Sequence, residues 1–107
     1  MKRGDLVTVI LPGAYGKPRP AVIVQSDRYE AMVSITFLPM TSEVLPKQVF
    51  RITVVPTAQN GLRTPSQIMT DKCSTLPLAR VGSVFGHLST ADLGRVDRAL
   101  AAFLGFA

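Results

Sequence analysis

At 107 residues, of which 47% are apolar types, the chain has material for one small domain with a real core and none for a second. A single cysteine, Cys73, and a single histidine, His87, exclude a disulfide framework and the Cys/His clusters of zinc sites. Twelve Lys and Arg against seven Asp and Glu give a net charge of +5, and residues 89–107 add nothing to it, because Arg95 and Arg98 cancel Asp92 and Asp97. The surplus in residues 1–88 favours a polyanionic partner such as nucleic acid, or an acidic protein. No run approaches the roughly 18–20 apolar residues of a spanning helix. The opening Met1-Lys2-Arg3 leads into Gly4-Asp5 rather than into a signal peptide. The expectation is a soluble, cytoplasmic, single domain over residues 1–107 with no membrane partner.

The first 88 residues read as short strands separated by turn signals. Asp5 to Ile10 is the first, stopped by Pro12-Gly13. The second begins at Pro20 and runs Ala21-Val22-Ile23-Val24-Gln25, a nearly continuous apolar stretch that suits a central strand buried on both faces. Met32 to Leu38 alternates and is expected to end at Pro39, before the polar segment Met40-Thr41-Ser42-Glu43. Val49 to Val55 is rich in β-branched residues and closed by Pro56. Asn60-Gly61 marks a tight turn, Ser66 to Met69 a short stretch after Pro65, and Arg80 to Phe85 a last strand.

A helix closes the chain. Ser89 is an N-cap with Asp92 three residues on, and Leu88 and Leu93 occupy the two positions of a hydrophobic staple. Leu93, Val96, Leu100 and Phe103 or Leu104 then fall on one face, Gly105 offers a stop, and Arg95 and Arg98 lie off the stripe on the solvated surface. Strands at this spacing predict a small, strongly bent antiparallel sheet or partly open barrel, since the connections are too short for parallel crossovers. Pairing with a second copy would offset the marginal core of so small a chain.

Catalytic signals of the common kinds are missing. There is no Walker-type phosphate loop, no metal pair and no second histidine for general acid–base work. The carboxylates form no pair: Asp92 and Asp97 belong to the helix, and Asp5 and Asp27 to strand ends where capping suffices. His87 sits at the junction of last strand and helix, and Cys73 reads as a small, partly buried side chain.

Three polar clusters remain, each leaving a strand end. Lys17-Pro18-Arg19-Pro20 holds two cations in a stiff segment, since each proline fixes its own φ and biases its predecessor toward extended geometry. Thr41 and Ser42 put hydroxyls at the sheet rim. Arg63, Thr64, Ser66 and Gln67 surround Pro65. Brought together, these groups bind phosphate through guanidinium and hydroxyl donors.

Five ordered blocks carry a family resemblance: Lys2-Arg3-Gly4-Asp5-Leu6-Val7; Arg19-Pro20-Ala21-Val22-Ile23-Val24-Gln25-Ser26-Asp27; Phe37-Leu38-Pro39-Met40-Thr41-Ser42; Gly61 to Lys72; and Val81-Gly82 with the closing helix from Leu88-Ser89 to Leu104-Gly105. In this the chain resembles the MazF/PemK toxins, ribosome-independent mRNA interferases of toxin–antitoxin systems. The resemblance implies an SH3-like small barrel of the CcdB/MazF type, a homodimer, a cognate MazE-like antitoxin, and sequence-selective cleavage of single-stranded RNA without metal or other cofactor. It implies attack by the RNA's own 2′-hydroxyl, leaving a 2′,3′-cyclic phosphate and a 5′-hydroxyl. Arg19 matches the family's main catalytic residue, and Thr41 its hydroxyl residue.

A fixed guanidinium strengthens its two N–H bonds as charge grows on the phosphorane, which suits Arg19. Threonine is too weak an acid to donate a proton outright, so Thr41 is assigned to positioning. Tyr15, Lys17, Ser42, Arg63, Ser66 and Gln67 are the expected RNA-binding residues. Some relatives carry an Asp where this chain has Ser66, so the general base and acid are left unassigned. Two alternatives use the same fold: a CcdB-like gyrase poison, whose Trp-Gly-Ile ending this chain lacks, and a non-catalytic nucleic-acid-binding barrel.

Overall fold

The period-two pattern of the strands is built into a sheet with two apolar faces. The computed structural model describes residues 1–13 and 16–107. It contains β1 (Asp5–Val9), β2 (Arg19–Ile23), β3 (Ser34–Thr41), β4 (Arg51–Val54), β5 (Ser66–Met69), β6 (Ser74–Pro77) and β7 (Val81–His87), followed by one helix, α1 (Thr90–Leu104). The strands join in the order β4-β5-β3-β2-β1-β7 with β6 added to β3, and each of these pairings is antiparallel. The expected mainly β architecture with a C-terminal helix is the one observed.

Alternate residues go to alternate sides. Leu6, Val22, Leu38, Met40 and Ile68 form one core, roofed by α1, whereas Val7, Val9, Ala21, Ile23 and Phe37 form the other. β2 lies between β1 and β3 and contributes to both, which explains its unbroken apolar run. Each fully buried large side chain, Phe37 and Leu6 among them at 0% exposure, contributes about 1.5–3 kcal/mol of transfer free energy.

β3 is the hinge of the architecture, and it departs from expectation. Pro39 does not stop it; the strand continues to Thr41. Along one edge β3 pairs with β6 from Ser34 to Phe37 and then with β5 at Met40 and Thr41. Pro39 falls in the gap between these two partners, where a missing N–H is tolerated. The antiparallel registers set the end of β3 between the start of β2 and the start of β5.

Other boundaries also move. β4 is confined to the residues that pair with β5, leaving Val49 and Val55 exposed. β7 extends to His87, which pairs with Asp5. β6 has no counterpart in the sequence reading, because a four-residue strand with a single buried apolar residue, Leu76, carries too short an alternation to register.

The helix behaves as its caps dictate. Ser89 Oγ accepts a hydrogen bond from the Asp92 N–H at 3.1 Å, and Gly105 ends the helix at φ 88° with its N–H on the last-turn carbonyls. Val96 is fully buried, and Leu93 and Leu100 pack on the same core, but Phe103 is half exposed and rests near Phe50 with ring centroids 6.1 Å apart. An ion pair between Arg3 and Asp97 ties the helix to the N-terminus, while Arg3 Nε donates to the Val24 carbonyl at 2.9 Å.

Candidate active site

Arg19 opens β2 with its backbone in register opposite Val9, so a guanidinium flanked by two prolines projects from a paired strand rather than from a free loop. It is half-buried and lies where two clefts meet. The larger, about 770 Å³, runs between the Lys17–Pro20 segment, the end of β3 and the Gly61–Ser66 segment. Lys17, Arg19, Ser42, Arg63 and Ser66, five of the residues expected from sequence, line it together. The smaller, about 380 Å³, is lined by Arg19, Thr41, Glu43, Arg51, Met69 and Lys72 among others.

Thr41 ends β3, its register partner being Gln67 of β5. Its Oγ1 accepts a hydrogen bond from the Glu43 N–H at 3.1 Å, which leaves the hydroxyl proton to donate elsewhere. The third cluster divides into exposed and buried halves. Arg63 and Thr64 are exposed, whereas Ser66 and Gln67 are buried at 5% and 3% exposure. Ser66 Oγ donates to the Thr64 carbonyl at 3.1 Å. Gln67 clamps the loop between β3 and β4: Nε2 donates to the Leu45 carbonyl at 2.8 Å and to Thr53 Oγ1 at 3.2 Å, and Oε1 accepts from the Leu45 N–H at 3.0 Å. Gln67 therefore lines neither of the clefts that meet at Arg19. Tyr15 lies outside the described residues.

A hub holds the Gly61–Ser66 wall in place. Asn60, 2% exposed, accepts from the N–H groups of Thr57 and Leu62 at 3.0 Å through Oδ1 and donates to the Val55 carbonyl at 2.9 Å. Gly61 adopts φ 68°, and a Cβ there would lie 2.8 Å from the Phe85 carbonyl oxygen, so only glycine fits.

Four cleft residues escape the sequence reading. Arg51 stands opposite Met69 across the β4–β5 ladder and is held by Asp71 through two hydrogen bonds of 3.3 Å, with side chains only 13% and 19% exposed. Lys72 and Glu43 complete the smaller cleft, and Phe85, 39% exposed on β7, offers the larger one an aromatic edge. Only Glu43 had a sequence signal, its position directly after Thr41-Ser42. His87 is exposed and lines neither cleft. Cys73, expected to be partly buried, is exposed, and the partial burial of its thiol raises its pKa above the ordinary value. Among the described residues, no three His, Cys, Asp or Glu side chains are grouped closely enough to hold a metal ion.

A family model described as "PemK-like, MazF-like toxin of type II toxin-antitoxin system" matches residues 2–104. The chain belongs to the PemK/MazF toxin family. It is 44% identical over 108 residues to the probable endoribonuclease MazF of Mycolicibacterium smegmatis, covering all of this chain and 99% of that relative. Endoribonuclease MazF9 of Mycobacterium tuberculosis is 29% identical over 110 residues, covering 94% and 92% of the two chains.

The fold agrees with solved members. Mycobacterium tuberculosis toxin MazF-mt6 superposes with a TM-score of 0.81 at 22% identity, over 94% of this chain and 96% of that one. A mycobacterial endoribonuclease in complex with its cognate antitoxin superposes with a TM-score of 0.84 at 18% identity, over 100% and 97% of the chains. The two clefts meet at Arg19, with Thr41 in the smaller one.

Proposed function

We propose that the protein is the endoribonuclease toxin of a type II toxin–antitoxin system, cutting single-stranded mRNA at a short sequence motif and so inhibiting translation and growth. The observation that carries this reading is the position of Arg19: one rigidly mounted guanidinium at the junction of two clefts that also hold Thr41 and the cations Lys17, Arg63, Arg51 and Lys72. A strand laid along both clefts places one phosphate at Arg19 and its neighbours near basic groups, with bases free to stack on Phe85.

The chemistry follows from charge development. Attack of the 2′-hydroxyl oxygen on the adjacent phosphorus builds negative charge on the non-bridging oxygens. Arg19 receives that charge with two parallel N–H bonds, and Thr41 donates its hydroxyl proton to the same phosphate. Lys17, Ser42 and Arg63 hold the RNA in the larger cleft, with Tyr15, two residues before Lys17 in sequence, proposed as a further RNA contact. Ser66 and Gln67 hold in place the loops that flank Arg63 and Ser42. No metal takes part in the cleavage.

The match to toxins solved with their antitoxins supports a cognate MazE-like antitoxin as partner. An acidic, flexible antitoxin segment lying in the basic clefts would exclude RNA. The working form is a homodimer in the cytoplasm. No helix of the described residues is long and apolar enough to cross a membrane. The relatives' endoribonuclease names do not favour the gyrase-poison alternative.

The test is incubation of purified protein with a long mixed-sequence RNA in EDTA, mapping every new end. Cuts at one short motif, each bearing a 2′,3′-cyclic phosphate and a 5′-hydroxyl, are expected. Intact RNA, or cleavage that appears only on adding a divalent cation, would overturn the reading.

A further inference from the structure

We infer that Glu43 is the general base of the cleavage, the group that takes the proton from the attacking 2′-hydroxyl; this rests on the ribonuclease reading above. Nucleophilic attack at phosphorus requires that proton to leave, and neither Arg19 nor Thr41 accepts it, the first being permanently charged and the second too weak a base. Glu43 is the one carboxylate among the described residues that line the two clefts meeting at Arg19.

The chain's other acids are engaged. Asp5 accepts from the Lys2 N–H, Asp27 from the Arg3 N–H, Glu30 pairs with Lys2, Asp71 with Arg51, Asp92 with Arg95 and Asp97 with Arg3. Among the side-chain carboxylates of the described residues, that of Glu43 alone has no hydrogen-bond or ion-pair partner among them, although Arg51 and Lys72 line the same cleft. A carboxylate that takes no structural partner beside three cations is available to a substrate.

Its placement is linked to that of the catalytic hydroxyl. The Glu43 N–H donates to Thr41 Oγ1 at 3.1 Å, so one turn fixes both residues, and both line the smaller cleft. The division of labour is then complete. The 2′-hydroxyl proton passes to a Glu43 carboxylate oxygen while the O2′–P bond forms. Arg19 and Thr41 bind the non-bridging oxygens. The P–O5′ bond breaks, the 5′-oxygen takes a proton from water, and Glu43 returns its proton to solvent.

The test is single-turnover cleavage by the full chain, wild type and Glu43→Gln, of an oligoribonucleotide with one cut site and of the same oligonucleotide with sulfur at the bridging 5′-position. A thiolate leaves without protonation, so the sulfur substrate relieves loss of a proton donor but not loss of a base. Glu43→Gln should be about 10²–10³-fold slower on both substrates. It should bind the 2′-deoxy analogue within about threefold of wild type. A Glu43→Gln rate equal to wild type on the oxygen substrate would overturn the inference alone. Restoration by sulfur would overturn it too, by making Glu43 the acid. A wild type that cuts neither substrate would overturn the ribonuclease reading beneath it.

Discussion

Replacing Gln67 with alanine separates a scaffold residue from an RNA contact. The side chain is 3% exposed and its three hydrogen bonds run to Leu45 and Thr53, at 2.8, 3.0 and 3.2 Å. Leu45 is 37% exposed, so water recovers part of what its backbone loses. Each broken bond then costs about 0.5–1 kcal/mol rather than the full penalty of an orphaned buried group. With the lost burial of the side-chain stem, Gln67→Ala should destabilise by about 2–3 kcal/mol. For a chain of this length that lowers Tm by about 10 °C. The freed loop between β3 and β4 carries Glu43 and Ser42, so kcat should fall about tenfold or more while KM changes less. Thermal unfolding followed by circular dichroism, with steady-state cleavage of a short RNA, measures both. An unchanged Tm together with a raised KM and intact kcat would instead make the Gln67 carboxamide a direct reader of RNA.

Three further outcomes are expected. Gly86→Ala would place a Cβ 2.5 Å from the Asn60 carbonyl carbon and 2.9 Å from the Gln59 carbonyl oxygen. Since backbone must yield, the variant should lose about 3 kcal/mol or more in urea unfolding. Asp71→Asn removes the charge that holds Arg51 in a largely buried pair. Stability should fall by about 1–2 kcal/mol, while RNA binding tightens at low salt and its logarithmic salt slope steepens by about one. Cys73 is exposed, with partial burial that raises its thiol above the ordinary value, so its thiolate is modestly scarcer in the folded than in the unfolded chain at a given pH. Iodoacetamide at about pH 8 should therefore label the native protein more slowly than the urea-unfolded one; equal rates would contradict the assignment.

Local patterns in the sequence carry β1, β2 and α1 almost to their observed limits, because each is specified by near neighbours: the Leu6-Val7 alternation, the apolar run after Pro20, and the Ser89 cap with its Leu88–Leu93 staple. What the pattern omits is non-local. Pro39 reads as a terminator, yet it sits between two strand partners whose meeting depends on β5 and β6, more than 25 residues further on. β6 buries a single apolar side chain and so leaves no period to detect. The site divides in the same way. Lys17 and Arg19 are legible because flanking prolines stiffen them, and Thr41 and Ser42 because they leave a strand. Arg51 and Lys72 enter only through the β4–β5 ladder and the turn after it. Gln67 shows the converse: it stands beside Pro65 in sequence but is buried beneath the distant loop between β3 and β4.

The junction of the two clefts at Arg19 is the proposed active site. Single-turnover cleavage of an RNA oligonucleotide by wild type and Arg19→Ala, with affinity for the uncleavable 2′-deoxy analogue measured in parallel, tests it most directly. Loss of a guanidinium that binds the phosphorane should slow cleavage about 10³-fold while affinity for the analogue falls less than about tenfold and the melting temperature holds. Cleavage by Arg19→Ala at the wild-type rate, with the same product ends, would remove Arg19 from the reaction and the cleft junction from the active site.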